Sequence, residues 1–337
     1  MTALTFPWSA GPAPGEVRAI RPGFAWVRMP LPFALDHVNL WLLDDGDKTF
    51  IVDTSVASGD TTNTWRAVLS TLTRPPSRLL ATHYHPDHIG LAGWLARTYD
   101  VEVIISKTEW ARAGAALSLS DEGFVAQQAA LYRKHGLDES RIDSLEPFGN
   151  SYLPLVDTLP EQVTHLQDGD TLSISGDDWD VITVGGHAPE MVCLYSATQN
   201  ILIAADQILP SITPNISLSF YTTEADPLGS FLHSFSRFSE LPEDVLVLPS
   251  HGLPFHGMHA RIQQLISHHE QRLDALIAAC ETPQTAESVL HILFRRELGA
   301  EQLMFAMGES IAHLRHLELQ GAISCNQDNG VNYYTVS

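Results

Sequence analysis

Short apolar runs bounded by turn residues fill the first hundred positions of the chain. Phe24–Met29, Val38–Leu43 and Thr49–Val52 read as strands, and Asp44-Asp45-Gly46-Asp47 joins the last two as a hairpin. The polar stretch Ser58–Asn63 leads into a predicted helix over Thr64–Leu72, closed by Pro75-Pro76. Arg78–Thr82 follows as a buried strand. A helix over about His88–Tyr99, which Asp87 could cap, and a strand over Val101–Ile105 come next. Residues 107–145 are helical and irregular, and predict an insertion or lid against the body.

A second β-rich tract holds Thr171–Ile174, Trp179–Val184, Val192–Tyr195 and Ile201–Ala204, with Val245–Leu248 further on. Met258–Cys280 is an amphipathic helix, since Ile262, Leu265, Ile266, Leu273, Leu276, Ile277 and Cys280 recur at helical spacing. His268 and His269 within it read as solvated or capping residues. Thr282-Pro283-Gln284 reads as a linker between a domain over 1–282 and a second over 283–337. Beyond it, helices over about 286–298 and 301–319 precede a hairpin of Ala322–Cys325 and Val331–Val336, the pattern of a winged-helix-like module. The succession of strand, ligand-bearing loop, helix and strand predicts an α/β layered fold, in which active groups gather at the C-terminal ends of strands.

Charge narrows the function. The chain of 337 residues carries a formal net charge of −21, with 19 Lys and Arg against 40 Asp and Glu. Such a field repels polyanions, so a nucleic-acid partner is disfavoured and a small-molecule substrate is expected. Residues 283–337 hold three Arg and no Lys against five Glu and one Asp, which suits packing or oligomerisation, a homodimer included, better than DNA binding. No apolar stretch reaches the roughly 18 to 20 residues of a membrane span. The first fifteen residues lack the basic and apolar regions of a secretory signal, so the expectation is a cytoplasmic protein. Cys193, Cys280 and Cys325 stand far apart and read as free thiols.

The chemistry concentrates in Thr82-His83-Tyr84-His85-Pro86-Asp87-His88-Ile89-Gly90, three imidazoles and a carboxylate within six positions just beyond a strand. Neutral imidazole is a preferred ligand for zinc, iron and their neighbours, so this density points to a transition-metal site. Three further ligand-type residues follow apolar strands with small residues alongside: His187 after Gly185-Gly186, Asp206 after Ala205, and His251 before Gly252. Five histidines and two aspartates make enough ligands for two metals that share a carboxylate.

In this order H-x-H-x-D-H, G-G-H-A-P, A-D and S-H-G resemble the metallo-β-lactamase superfamily over about residues 17–280. The resemblance implies a four-layer αββα sandwich with a glyoxalase II-like metal site at one edge. It implies that His83, His85 and His187 bind one metal, that Asp87, His88 and His251 bind the other, and that Asp206 bridges them. Asp53, in Ile51-Val52-Asp53-Thr54, matches an aspartate that supports the ligands from behind. The implied cofactor is two divalent ions, zinc first, with iron or manganese as alternatives. The implied activity is a dinuclear metal-dependent hydrolase that uses a metal-bridging hydroxide on a small ester, thioester or lactone, with Asp87 orienting it and taking a proton. A nuclease or phosphodiesterase is the runner-up, and an iron oxidoreductase of the same fold the third reading. The segment from His251-Gly252-Leu253-Pro254 to Arg272 resembles the subgroup with a C-terminal winged-helix domain, which contains thioesterase-like hydrolases and an endoribonuclease. Glu190 and His256 are expected close behind the metals, and Tyr221 or Phe220, in the loop after Asp206, at the substrate.

Overall fold

Two stacked sheets form the body, and most of their central strands are buried on both faces. The computed structural model describes residues 4–222, 225–295 and 297–337. The first sheet runs in chain order through β1 (Val17–Arg21), β2 (Phe24–Pro30), β3 (His37–Asp45), β4 (Lys48–Val52), β5 (Pro76–Leu80), β6 (Glu102–Ser106) and β7 (Thr164–Leu166). It is an antiparallel meander up to β4 and parallel from β4 to β7. The second sheet contains β8 (Thr171–Ile174), β9 (Asp177–Val184), β10 (Met191–Ser196), β11 (Ile201–Ala205) and β12 (Leu246–Pro249), in the order β12-β11-β10-β9-β8. Only its β11–β12 pair is parallel.

The parallel pairs need crossovers, which helices supply. Between β4 and β5 lies α1 (Gly59–Thr71), and between β5 and β6 lie α2 (Pro86–Ile89) and α3 (Ala92–Tyr99). Between β6 and β7 come α4 (Lys107–Leu117), α5 (Asp121–Lys134) and α6 (Glu139–Asp143), and between β11 and β12 comes α7 (Pro227–Ser234). The chain ends with α8 (Met258–Ala279), α9 (Leu290–Leu293), α10 (Ala300–Leu319) and the hairpin β13 (Ile323–Asp328) and β14 (Val331–Val336).

The period of two sorts side chains between two cores. Trp26, Trp41, Phe50, Val52 and Leu80 meet Trp179, Val181, Leu194 and Leu248 between the sheets. Their strand neighbours Val27, Leu40, Leu42 and Ile51 join Trp65 and Val68 of α1 and Leu95 of α3, while Ile182, Val184 and Leu202 join Phe231 of α7 and Leu265 of α8. The result is the expected αββα sandwich. Truncating a fully buried aromatic such as Trp41 to alanine should cost about 3–5 kcal/mol. Buried Asn39 ties the sheets together near the site: it accepts from Trp26 Nε1 at 2.9 Å and donates to the carbonyls of Pro249 and Gly252, both at 2.9 Å.

Several expectations need correction. Helix α1 starts at Gly59, before Thr64, because Ser58 and Thr61 exchange side-chain-to-backbone bonds at its N-terminus. The helix expected over 88–99 breaks after Ile89. There Gly90 packs so closely that a Cβ would lie 2.4–2.7 Å from the carbonyl oxygens of Pro86, Ser55 and Leu155. His85 occupies the cap position of α2, so Asp87 is inside the turn and free to face the site. Among the described residues of 286–298, α9 is the one helix that forms. Arg272 donates to the carbonyl of Leu293 at 3.2 Å, and extended Phe294 packs under its guanidinium at 5.6 Å, which ends the turn. His269 is fully buried, its Nδ1 3.1 Å from Nε2 of His313 on α10, and is not a solvated residue.

Residues 107–145 do not stand free. Tyr132, Leu137, Ile142 and Leu145 share a third core with Leu276, Leu290, Leu314 and Tyr334. Helices α5 and α6 thus pack with the C-terminal elements, while α4 reaches toward the site. The same core spans residue 282, so packing continues across the linker. Among the described residues, no helix is long and apolar enough to cross a membrane.

Candidate metal centre

Every ligand-type residue singled out around the histidine cluster leaves the C-terminal end of a strand. Asp53 follows β4, the His83–His88 turn follows β5, His187 follows β9, Asp206 follows β11 and His251 follows β12. The backbone is forced there: Asp53 has φ 64°, Ala205 has φ 46° and Gly186 has φ 106°. Non-glycine residues in the left-handed region carry a cost that surrounding contacts must offset. Gly186 is obligatory for a second reason, since a Cβ there would come within 2.4 Å of Phe231.

Two groups of donors face each other. In the first, His85 Nδ1 lies 3.0 Å from both His83 Nε2 and His187 Nε2. In the second, Asp87 Oδ2 lies 3.5 Å from His88 Nε2 and 3.4 Å from His251 Nε2. Asp206 reaches both: its Oδ2 is 3.2 Å from His187 Nε2 and 3.6 Å from His88 Nε2, and its Oδ1 is 3.4 Å from His251 Nε2. The atoms of His83, His85 and His187, of His83, His88 and Asp206, and of Asp87, His88 and His251 each converge within 4.8 Å.

The outer nitrogens are spoken for, which aims the inner ones. His88 Nδ1 is 2.8 Å from Asp53 Oδ2, His187 Nδ1 is 2.9 Å from the Asn215 carbonyl, and His251 Nδ1 is 2.7 Å from the His37 carbonyl. His83 Nδ1 sits 3.1 Å from Thr82 Oγ1. This is the arrangement that fixes tautomer and ring direction in metal-binding histidines. Asp53 also accepts from the Thr82 amide at 2.8 Å and the Thr82 hydroxyl at 3.0 Å, which ties it to the turn that carries His83 to His88.

The donor set fits a pair of divalent ions. His88 Nε2 and Asp206 Oδ1 are buried with no hydrogen-bond partner, an expensive condition for polar atoms unless an ion satisfies them. The separations of 3.0–3.6 Å match two atoms that each lie about 2.0–2.2 Å from a shared ion. Protonation differs between the groups. Burial holds His83 well below the usual imidazole range and His85 at about 3, so both are neutral. Burial would do the same to His88 and His251, but Asp87, Asp53 and Asp206 hold His88 well above that range, and Asp206 and Asp87 hold His251 at about 10. Burial opposes the charge of Asp87 and Asp206 as well. His88 and His251 outweigh it and keep both carboxyls well below the usual range.

Two expected neighbours lie elsewhere. Glu190 turns away to accept from the Thr108 amide at 3.2 Å, at the start of α4. His256 hydrogen-bonds the carbonyls of Asp244 and Val245, beyond the opposite end of β12 from His251. Tyr221 and Phe220 pack edge to face at 4.8 Å beside Phe124, and the guanidinium of Arg112 lies over the Tyr221 ring. The sequence reading missed Glu109. Fully buried on α4, it accepts from the Tyr84 amide at 2.9 Å and the Glu190 amide at 2.6 Å, and so pins the two loops that carry the first group. Burial pushes its carboxyl up to about 7. Its one sequence signal is its place just past the apolar strand β6, the same position the other site residues hold.

A two-sheet sandwich with paired His/Asp clusters at its strand ends defines a class of divalent-metal proteins. The chain belongs to the metallo-beta-lactamase superfamily, whose family model matches residues 34–251, and the model of the metallo-beta-lactamase-like C-terminal domain matches 273–337. A beta-lactamase domain protein from Burkholderia ambifaria is 36% identical, with TM-score 0.92 over 99% of this chain and 98% of that one. A metallo-beta-lactamase family protein from Thermus thermophilus is 28% identical, with TM-score 0.81 over 95% of this chain and all of its own. An uncharacterised protein of Aquifex aeolicus is 25% identical over 51% of this chain and 66% of its own length. The lactamase-like protein adaB of Aspergillus niger is 27% identical over 36% of this chain and 35% of its own length.

Proposed function

We propose that this protein is a dinuclear metal-dependent hydrolase of small esters, thioesters or lactones. The observation that carries the reading is the carboxylate of Asp206, placed between two converging donor groups and within 3.2–3.6 Å of a histidine from each. His83, His85 and His187 would hold one ion, Asp87, His88 and His251 the other, with Asp206 shared. Such ions lower the pKa of water from near 16 toward ~7 and polarise an acyl carbonyl. Asp87 is the most exposed of the carboxylates here, its side chain 19% accessible, which supports a role in orienting the attacking water and taking up its proton. Asp53 and the Asn215 and His37 carbonyls keep the rings of His88, His187 and His251 from turning. The net charge of −21 favours a small substrate over a nucleic acid. Three free thiols fit a reducing, cytoplasmic setting.

Metal analysis of the purified protein, paired with a panel of thioesters, lactones, phosphodiesters and RNA, tests this. About two equivalents of metal and turnover of an acyl substrate are expected; His85→Ala should lose the ion of its own group and the turnover with it. Full activity in a metal-free preparation would overturn the reading, and RNA cleavage that persists at high salt would replace it with the nuclease.

A further inference from the structure

Among the described residues, Arg112 is a cation without a carboxylate partner. It lies one turn after Glu109 on α4, and among the described residues it forms no ion pair, in a chain with 40 acidic residues. Its guanidinium instead lies 4.7 Å from the ring centre of Tyr221 and 5.6 Å from that of Tyr84. Its Nε is buried with no hydrogen-bond partner. Tyr84 stands between two candidate ligands in sequence, and its ring lies 4.5 Å from that of His85. Arg112 is therefore two ring contacts from the metal centre, where α4 meets the loop that follows Asp206. Aromatic faces hold a guanidinium in place without consuming its donors, which stay available to a planar anion.

We propose that Arg112 binds a carboxylate on the far end of the substrate, so that the ester or thioester acted on carries one free acid group. This deepens the acyl-hydrolase reading and rests on it. One guanidinium balances one negative charge, which favours a carboxylate over a phosphate dianion. The carboxylate takes the fork of Arg112 bidentately, Tyr221 flanks it, and the scissile carbonyl then lies toward His85 and Asp87.

The test compares two esters with acyl chains of six carbons, mono-4-nitrophenyl adipate and 4-nitrophenyl hexanoate, on the metal-bearing protein. The adipate ester should show a KM lower by about tenfold or more, and Arg112→Met should bring the two KM values together. Arg112→Lys, which keeps the charge and loses the fork, should restore part of the difference. Melting temperature and metal content of each variant report whether the fold is intact. Calorimetric titration with adipic and hexanoic acids gives a readout independent of turnover. Tighter binding of adipic acid by the native protein, lost in Arg112→Met, supports the assignment even if neither ester is hydrolysed, an outcome that would count against the hydrolase reading alone. Equal binding of the two acids, or an adipate preference that survives Arg112→Met, overturns it. Tighter binding of 6-phosphonohexanoic acid than of adipic acid would overturn the choice of carboxylate.

Discussion

The two halves of the candidate centre reach the same donor geometry by opposite electrostatics. In the half built from His83, His85 and His187, burial drives the protons off His83 and His85. The half built from Asp87, His88 and His251 keeps protons on its imidazoles, because two carboxylates face them. One half is prepared for a cation, and the other holds protons in the positions a cation would take. Asp206 touches both. The largest effect should therefore come from Asp206→Ala: metal analysis should show both equivalents weakened and acyl turnover abolished. Retention of one full equivalent would mean the halves are independent and the bridge is not one.

Proton accounting separates them next. Between about pH 7.5 and 9, an ion entering the Asp87 half must displace protons from His88 and from His251, whose pKa is about 10. Apparent affinity there should rise about tenfold per pH unit for each proton displaced. The His83 half should be flatter over the same interval, since His83 and His85 are already neutral and Glu109 is ionised above about 7. Zinc titration against a competing chelator, with a pH indicator in weak buffer, measures both slopes. Equal slopes would erase the contrast.

The supports behind each half differ too. Asp53→Asn removes the charged partner of His88 Nδ1 and should cost the Asp87 half about 10–100-fold in metal affinity, with a smaller loss in the other half. Competitive zinc binding of the variant at constant pH reads this directly, and an equal loss in both halves would assign Asp53 to the whole turn through Thr82.

What could be read from the sequence divides along physical lines. Candidate ligands declare themselves because imidazole and carboxylate groups so dense, at strand ends beside glycine, have few structural uses. His83 to His88, His187, Asp206 and His251 were legible for that reason. The order of strands and helices predicted layered α/β structure, while the αββα sandwich and the role of Asp53 came from the resemblance to the superfamily. Glu190 and His256 misled because closeness in sequence to a ligand says nothing about side-chain direction: a strand start turns one away, and the far end of β12 removes the other. Glu109 and Arg112 were silent because their roles depend on how α4 docks, and docking is set by contacts distant in the chain. Helix 286–298 failed for the same reason, since Arg272 of α8 ends α9 from outside.

Glu109→Gln gives the smallest effect and the sharpest one. The carboxylate of Glu109 accepts from two backbone amides, those of Tyr84 and Glu190. Glutamine has one acceptor oxygen, so one amide would face an NH2 group and a loop of the His83 half would loosen. Protonated Glu109 has the same shortage. With its folded pKa raised from 4.5 to about 7, the native fold binds this proton more readily than the unfolded chain does. Its contribution to stability is therefore highest below about pH 4.5 and declines as pH rises to about 7. Above pH 7 the ionised group makes both bonds at the cost of a buried charge, and the variant avoids that charge but makes one. The variant should hold metal in the His83 half about tenfold more weakly at pH 8, match the native protein near pH 5, and show a flatter stability profile between them. Melting curves and zinc competition at the two pH values check this. A tenfold deficit that persists at pH 5 would mean that Glu109 acts by shape and not by its two accepted bonds.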